Sequence, residues 1–101
     1  MLETPGFVVV DIWKVKPGKQ EELRKVLAEA GRHFRTVDGV LSVDYTQLVD
    51  DEDRYLVVFR YRDADARTAF VATDALRSTM ERLAALWSLE SPIYQGVSTG
   101  L

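Results

Sequence analysis

The sequence predicts an α+β fold of ferredoxin-like βαββαβ topology, in which a four-stranded antiparallel sheet carries helices on one face. Segments with the apolar period of a strand or a helix follow one another in the order strand–helix–strand–strand–helix–strand. Two strand–helix–strand units in tandem are typical of this arrangement. The chain has 101 residues, the size of one domain, and we therefore assign residues 1–101 to a single domain.

The first strand covers about residues 7–16, after a short tail at 1–6, and its opening run at 7–10 is apolar at every position. Because successive side chains of a strand point to opposite faces, Asp11 shares a face with Trp13. The apolar residues divide between the two faces: Val8, Val10 and Ile12 on one, and Phe7, Val9, Trp13 and Val15 on the other. Both faces of this strand must therefore be covered.

Pro17 and Gly18 end the strand, and an amphipathic helix follows over about residues 19–36. Its apolar residues recur at helical spacing and form one stripe: Leu23, Val26, Leu27, Ala30, Phe34 and Val37. Gly39 supplies the left-handed conformation that commonly follows a helix. This stripe is expected to cover one face of the sheet.

Strands two and three cover about residues 40–49 and 54–62, and the acidic loop 50–53 between them makes a hairpin. Alternation places Leu41 on the same face of strand two as Tyr45, and Val40 on the other face. In strand three, one face carries four large residues: Tyr55, Val57, Phe59 and Tyr61. The hairpin therefore brings aromatic side chains to one side of the sheet.

A second helical region covers about residues 64–72, with Asp63 or Asp65 as its N-cap, and Thr73 or Asp74 can cap a further helix. That helix has its own apolar stripe: Leu76, Met80, Leu83, Ala84 and Trp87. A last strand covers about residues 91–97 and completes the predicted fold.

Helices on one face leave the other face of the sheet open, and on strands one and three that open face is apolar. It carries five aliphatic residues: Val8, Val10, Ile12, Leu56 and Val58. An exposed apolar patch of this kind usually marks an interface. We expect the same sheet of a second chain to cover it, in a face-to-face homodimer.

Composition excludes several classes of function. The net charge is −3 and the basic residues are scattered, so no nucleic-acid partner is expected. The chain has no cysteine, which excludes a disulfide framework and thiol chemistry, and its single histidine, His33, lacks a second ligand, so no metal site is expected. The sequence shows neither a signal-peptide pattern nor an apolar run of membrane-spanning length. We therefore expect a cytoplasmic protein without a membrane partner.

Asp11 is the residue most suggestive of chemistry, since a carboxylate in a strand covered on both faces costs several kcal/mol unless it is paired or neutral. On one interpretation its pKa is raised in an apolar cavity, and it takes a proton from a phenolic or 1,3-dicarbonyl substrate. On the other it is a structural acid, bonded to a tyrosine hydroxyl or an arginine. The residues alone leave both interpretations open.

The aromatic side chains on the same side of the sheet suit either a core or a planar ligand. We assign Tyr45 and Tyr61, together with Asp11, as candidate catalytic residues, because buried hydroxyls need hydrogen-bond partners in the protein or on a ligand. Four further residues are candidate substrate-binding residues: Trp13, Phe59, Phe70 and Trp87.

Three stretches of the chain resemble the antibiotic biosynthesis monooxygenase superfamily of dimeric α+β barrels: FVVVDIWKVKPGKQEEL, VDGVLSVDYTQLVDDEDRYLVVFRYRDADARTAF and ALRSTMERLAALW. The resemblance, over about residues 7–97, implies a ligand cavity between the sheet and the helices of each subunit. Where many members have a tryptophan at the end of strand three and two histidines in the second helical region, this chain has Tyr61, Phe70 and Ala75. The haem-degrading branch uses a histidine in that region to ligate iron.

Together these observations predict a cofactor-independent monooxygenase that oxidises a small phenolic, quinol or polyketide-type aromatic compound with O2. In this prediction Asp11 is the base, Tyr45 and Tyr61 orient oxygen atoms, and Trp13 forms a wall of the site. One alternative is a dimeric barrel that binds or isomerises a small metabolite without oxygenating it. The other is a haem-binding or haem-degrading protein.

Overall fold

A computed structural model describes residues 6–99 and residue 101, so most of the tail predicted at 1–6 lies outside the described residues. The elements, in chain order, are β1 (Phe7–Val15), α1 (Gln20–Phe34), β2 (Val40–Gln47), β3 (Arg54–Tyr61), α2 (Ala64–Val71), α3 (Asp74–Ala84), β4 (Trp87–Leu89) and β5 (Tyr94–Val97). Among the described residues, no helix is both long enough and apolar enough to cross a membrane.

All strands pair antiparallel in one sheet of order β2–β3–β1–β4, and β5 also pairs with β1. β4 lies opposite residues 13–15 of β1 and β5 opposite residues 7–10, so the two short strands form one interrupted strand along the same edge. The sheet thus has four strand positions with β1 and β3 at its centre. The predicted α+β ferredoxin-like fold is confirmed.

The apolar stripe of α1 packs on the sheet as predicted. Its buried residues include five of the six predicted ones: Leu23, Val26, Leu27, Ala30 and Phe34. The sixth, Val37, lies beyond the helix in the turn that leads to Gly39. Gly39 has a φ of +86°, and a Cβ atom there would lie 2.6 Å from the Cβ of Ala66. Glycine therefore allows both this turn and its close approach to α2.

The capping alternatives are resolved. Asp63 Oδ1 accepts a hydrogen bond of 2.8 Å from the backbone N–H of Ala66 and begins α2. Thr73 Oγ1 accepts one of 3.3 Å from the N–H of Leu76 and begins α3. Each side chain satisfies a backbone donor that has no partner inside its own helix. The second helical region and the further helix are therefore separate helices, α2 and α3, on either side of Thr73.

The predicted alternation of β2 is wrong at its start. The register with β3 shifts between Val40 and Ser42, which makes Leu41 the extra residue of a β-bulge. Val40 is consequently 8% exposed and packs with Phe34, whereas Leu41 is 64% exposed. After the bulge the predicted parity is restored, and Val43 is buried.

The predicted stripe of the last helix is wrong at its end, and the last strand begins earlier than predicted. α3 ends at Ala84, which is exposed, and Trp87 is the first residue of β4, paired with Val15. The backbone N–H of Lys16 donates a hydrogen bond of 2.8 Å to the carbonyl of Leu86. Pairing with β1 thus ends the helix before Trp87. The Trp87 side chain enters the layer between sheet and helices from strand β4.

Candidate functional site

A cavity of about 150 Å³ lies between the helix-covered face of the sheet and the helices. It is lined by side chains from all three long strands and all three helices, most of them apolar or aromatic. All seven residues that the sequence predicts for the site line this one cavity: Asp11, Trp13, Tyr45, Phe59, Tyr61, Phe70 and Trp87. Their placement together is a finding, and their roles remain predictions.

Aromatic side chains form the walls of the cavity. Trp13 and Trp87 stack with ring centroids 4.8 Å apart and an interplanar angle of 19°, because β1 and β4 are neighbours in the sheet. Phe59 and Tyr61, on one face of β3, stack at 5.9 Å and 18°. Phe70 approaches from α2, with its ring centroid 5.7 Å from that of Phe59. Such walls suit a planar aromatic ligand.

Asp11 lies on β1 with its side chain towards the cavity, as its parity with Trp13 predicts, and is 9% exposed. Its Oδ1 atom is buried without a hydrogen-bond partner among the described residues. A structural acid is expected to have its buried oxygen atoms satisfied by the protein. The environment of Asp11 therefore favours the interpretation in which this carboxylate meets a ligand.

The interruption of the edge strand lies beside Asp11. The N–H of Glu90 still donates a hydrogen bond of 2.8 Å to the carbonyl of Ile12. Residues 91–93 leave the regular ladder, and Pro92 has no N–H with which to continue it. The Ser91 hydroxyl replaces a ladder acceptor and receives a hydrogen bond of 3.1 Å from the N–H of Ile12. Ile93, the last residue of the interruption, lines the cavity and is 44% exposed. The broken edge strand thus contributes to the rim of the cavity.

The rest of the rim comes from the helices. Val71 at the end of α2 and Met80 on α3 both line the cavity and both remain exposed. With Ile93 they form an apolar mouth between the helices and the broken edge strand. A ligand entering here would meet apolar side chains first and the polar groups of Asp11 and its neighbours deeper in the cavity.

Burial raises the pKa of Asp11 above its ordinary value of 3.8. A hydrogen bond from the Trp13 side chain and the positive charge of Arg67 act in the opposite direction. The raised pKa makes Asp11 a stronger base than an exposed carboxylate, because its charged form is poorly solvated. That property matches the proton-accepting role predicted for it.

The two candidate tyrosines are held in their neutral form. Burial raises the pKa of Tyr61 from 10.0 to about 12, against the lowering effect of Arg67. Burial is also the main cause of the raised pKa of Tyr45. Both phenols therefore keep their protons near neutral pH. They can donate hydrogen bonds to an oxygen atom of a ligand, but they cannot act as bases there.

Arg67, on α2, also lines the cavity and was missed by sequence reasoning. It lies three residues before Phe70, on the same side of the helix, and that spacing was the available signal. Within the described part of the chain, four buried side-chain polar atoms have no hydrogen-bond partner: Asp11 Oδ1, Ser42 Oγ, Arg67 Nε and Trp87 Nε1. Three of the four belong to cavity residues, so unsatisfied polar groups converge on this site.

We expect Asp11→Asn to change how stability depends on pH. Because the pKa of Asp11 is higher in the folded protein than in the unfolded chain, the folded state binds the proton more tightly. The stability that protonated Asp11 contributes is fully present below the unfolded pKa of 3.8 and is lost as pH rises through the folded pKa. Each unit of difference corresponds to about 1.4 kcal/mol.

Urea unfolding at a series of pH values measures this effect. As the pH rises above the unfolded pKa of 3.8, the Asp11→Asn variant should lose less free energy of unfolding than the wild type. Asp50→Asn, at an exposed position of the hairpin loop, is the matched control and should follow the wild-type profile. Parallel profiles for the wild type and Asp11→Asn would contradict the raised pKa.

The chain is similar to known proteins in both sequence and fold. The family model for antibiotic biosynthesis monooxygenases matches residues 6–82. A candidate haem-binding protein from Natronomonas pharaonis is 31% identical over 80 residues, which make up 78% of this chain and 13% of that protein. The chain thus spans only a small part of the length of this relative.

Solved structures share the fold. A candidate antibiotic biosynthesis monooxygenase from Nitrosomonas europaea superposes with a TM-score of 0.81 at 18% identity, over 100% of this chain and 95% of that one. Another from Deinococcus radiodurans gives a TM-score of 0.79 at 14% identity, over 89% of each chain. The family model covers more than half of the sequence, from strand β1 into helix α3. The chain belongs to the antibiotic biosynthesis monooxygenase family.

Proposed function

We propose that this protein is a cofactor-independent monooxygenase whose substrate is a small aromatic compound with an acidic hydroxyl group. The observation that carries the proposal is the buried, unpartnered Oδ1 of Asp11 in the wall of an aromatic cavity. Membership of the family supports an oxygenase-like or small-molecule-binding role. This reaction requires the protein to bind a flat substrate, accept a proton from it and exclude water.

In the proposed reaction the substrate hydroxyl points at Asp11. The substrate O–H bond breaks as an O–H bond forms on the carboxylate, and the aromatic anion that results passes an electron to O2. The aromatic radical and superoxide then combine at a ring carbon that carries a hydrogen atom, and the O–O bond breaks. One oxygen atom stays on the ring as a carbonyl group, and the other leaves as water with the ring hydrogen and the proton that Asp11 returns, so that a phenol and O2 yield a quinone and water. Tyr45 and Tyr61, which keep their protons, orient the oxygen atoms by hydrogen bonds.

The size of the cavity narrows the substrate class. A dry cavity of about 150 Å³ in another protein holds one benzene molecule, and the volume here is similar. The stack of Trp13 and Trp87 offers a wall for one ring. A single-ring phenol or quinol therefore suits this site better than the polyketide-type compounds that the sequence also suggested.

Tryptophan fluorescence can measure how binding depends on ligand size, because the only two tryptophans of the sequence both line the cavity. We expect hydroquinone to change the tryptophan fluorescence saturably and to consume O2 faster with the protein than in buffer, with formation of hydroxybenzoquinone and water rather than benzoquinone and H2O2. A naphthoquinol should bind at least about tenfold more weakly, because a second ring exceeds the cavity.

Leu76→Phe fills the lining of the cavity, and Leu101→Phe makes the same change at an exposed position. The first should weaken hydroquinone binding and the second should leave it unchanged. If hydroquinone neither perturbs the fluorescence nor accelerates oxygen uptake, the proposed function is wrong. Binding without oxygen uptake would favour the alternative, a protein that binds or isomerises a small metabolite by proton transfer at Asp11.

Haem does not fit the residues present. His33, the one histidine of the sequence, is exposed on α1 and is absent from the cavity lining. The part of the chain that the structure describes contains no group of three or more His, Cys, Asp or Glu side chains placed to hold a metal ion. A cavity that matches one aromatic ring is also far smaller than a porphyrin. No step of the proposed reaction involves haem.

We also propose that two copies of the chain pair through the open face of the sheet. In the single chain the five aliphatic residues of that face are only partly covered: Val8, Val10, Ile12, Leu56 and Val58. The described helices α1, α2 and α3 contribute to the cavity and core on the opposite face. A second sheet presents the same apolar strip and can bury it by two-fold symmetry.

A further inference from the structure

We propose that Arg67 is the anion-binding residue of the cavity: it holds the ionised oxygen atom of an acidic aromatic ligand once Asp11 has taken the proton. The inference rests on the proposed function and deepens it, because it names the ionised form in which the ligand is held. Arg67 would therefore favour ligands that can become anions over uncharged ligands of the same shape.

The position of Arg67 differs from that of the arginines that stabilise the surface. Four arginines lie in exposed ion pairs with carboxylates: Arg54, Arg62, Arg77 and Arg82. Arg67 instead lies on the cavity side of α2, and its Nε atom is buried without a hydrogen-bond partner among the described residues. A buried guanidinium N–H with no acceptor is costly, and an oxygen atom of a ligand would satisfy it.

Arg67 also lies near two residues assigned to the proposed reaction, Asp11 and Tyr61. Its charge lowers the pKa of Asp11 and that of Tyr61, so both side chains are within its electrostatic reach. The cavity lining includes two carboxyl or guanidinium side chains, Asp11 and Arg67, and the other lining residues are uncharged near neutral pH. The site thus has one basic oxygen atom and one fixed positive charge on a largely apolar wall.

With Asp11 and Arg67 together in the cavity, the net charge of the site stays constant during proton transfer. Before the transfer, Arg67 faces the Asp11 carboxylate and a neutral hydroxyl group. When the hydroxyl proton moves to Asp11, the negative charge moves from the carboxylate to the ligand oxygen, and Arg67 faces a negative charge throughout. Arginine suits this role because it does not lose its own proton and presents several N–H donors in a plane.

The ionisation of bound 4-nitrophenol tests the inference, since the phenolate has a visible absorption band and the ligand has one ring. The measurement uses the Asp11→Asn background, which removes the competing carboxylate. In that background we expect the bound ligand to ionise at a lower pH than the free ligand. Adding Arg67→Met should raise the ionisation midpoint by about one pH unit, a tenfold change in the ionisation constant.

Arg67→Lys in the same background should retain part of the shift, because it keeps the charge without the planar donors. Arg77→Met, which removes an exposed arginine of α3, should leave the midpoint unchanged. Equal midpoints with and without Arg67, for a ligand that still perturbs the tryptophan fluorescence, would overturn the inference alone. If 4-nitrophenol and hydroquinone both fail to bind the wild-type protein, the proposed function fails and this inference fails with it.

Discussion

Replacing Asp11 by asparagine is expected to lower the rate of oxygen uptake with a single-ring phenol or quinol by about 10²–10⁴-fold. Asparagine has nearly the same size as aspartate but cannot accept the substrate proton. The anion that reduces O2 would then form only by loss of the proton to water, and a weakly acidic phenol or quinol stays mostly neutral near neutral pH even beside Arg67. The ligand should still bind, because the stacked indoles of Trp13 and Trp87 and the ring of Phe59 are unchanged.

Two measurements separate this catalytic role from a structural one. Tryptophan fluorescence titration should show that Asp11→Asn binds the ligand within about threefold of the wild-type affinity, and circular dichroism should show an unchanged fold. The exposed variant Asp50→Asn should oxidise the substrate at the wild-type rate. An Asp11→Asn protein with wild-type turnover would remove Asp11 from the reaction and would leave it as a buried structural acid.

The second large effect is expected on assembly: Val58→Asp should convert a dimer into a monomer. Val58 lies at the centre of the open face, paired with Val10 on the neighbouring strand β1. Two-fold symmetry places the new carboxylate in the interface twice, once from each chain. Burying each charge without a partner costs several kcal/mol, so the dissociation constant should rise by at least about 100-fold.

Sedimentation velocity at micromolar concentration measures this change. The wild type and Val49→Asp, which introduces the same charge at a fully exposed position, should both sediment as dimers. Val58→Asp should sediment as a folded monomer, since its side chain is only partly covered within one chain. A wild-type protein that is monomeric under these conditions would refute the proposed interface, and the cavity proposals would stand unaffected because the cavity lies on the opposite face.

Strand β1 faces the cavity on one side and the proposed dimer interface on the other. Asp11 and Trp13 face the cavity, whereas Val10 and Ile12 face the open side. A strand with such a division must be apolar on both faces, as residues 7–10 are. The one carboxylate within it is therefore conspicuous, because its desolvation is tolerated without a hydrogen-bond partner for Oδ1.

Local patterns in the sequence were sufficient to predict the fold and much of the candidate site. Alternation along a strand is a property of the backbone itself, so the parity of Asp11 with Trp13, and of Phe59 with Tyr61, correctly places all four on the cavity side. The helical stripe of α1 and the caps at Asp63 and Thr73 are equally local. Each depends on residues within a few positions of one another.

The remaining features depend on contacts between distant parts of the chain, and only the tertiary structure decided them. The gap in the edge strand beside Asp11 is held by Ser91, which is 79 positions away from Ile12. Trp87 lies in strand β4 and not in the predicted helix, because its backbone pairs with that of Val15. Arg67 became part of the cavity when α2 packed over the sheet. Burial, and with it the pKa of Asp11, arises only when these distant segments come together, because desolvation requires the surrounding atoms.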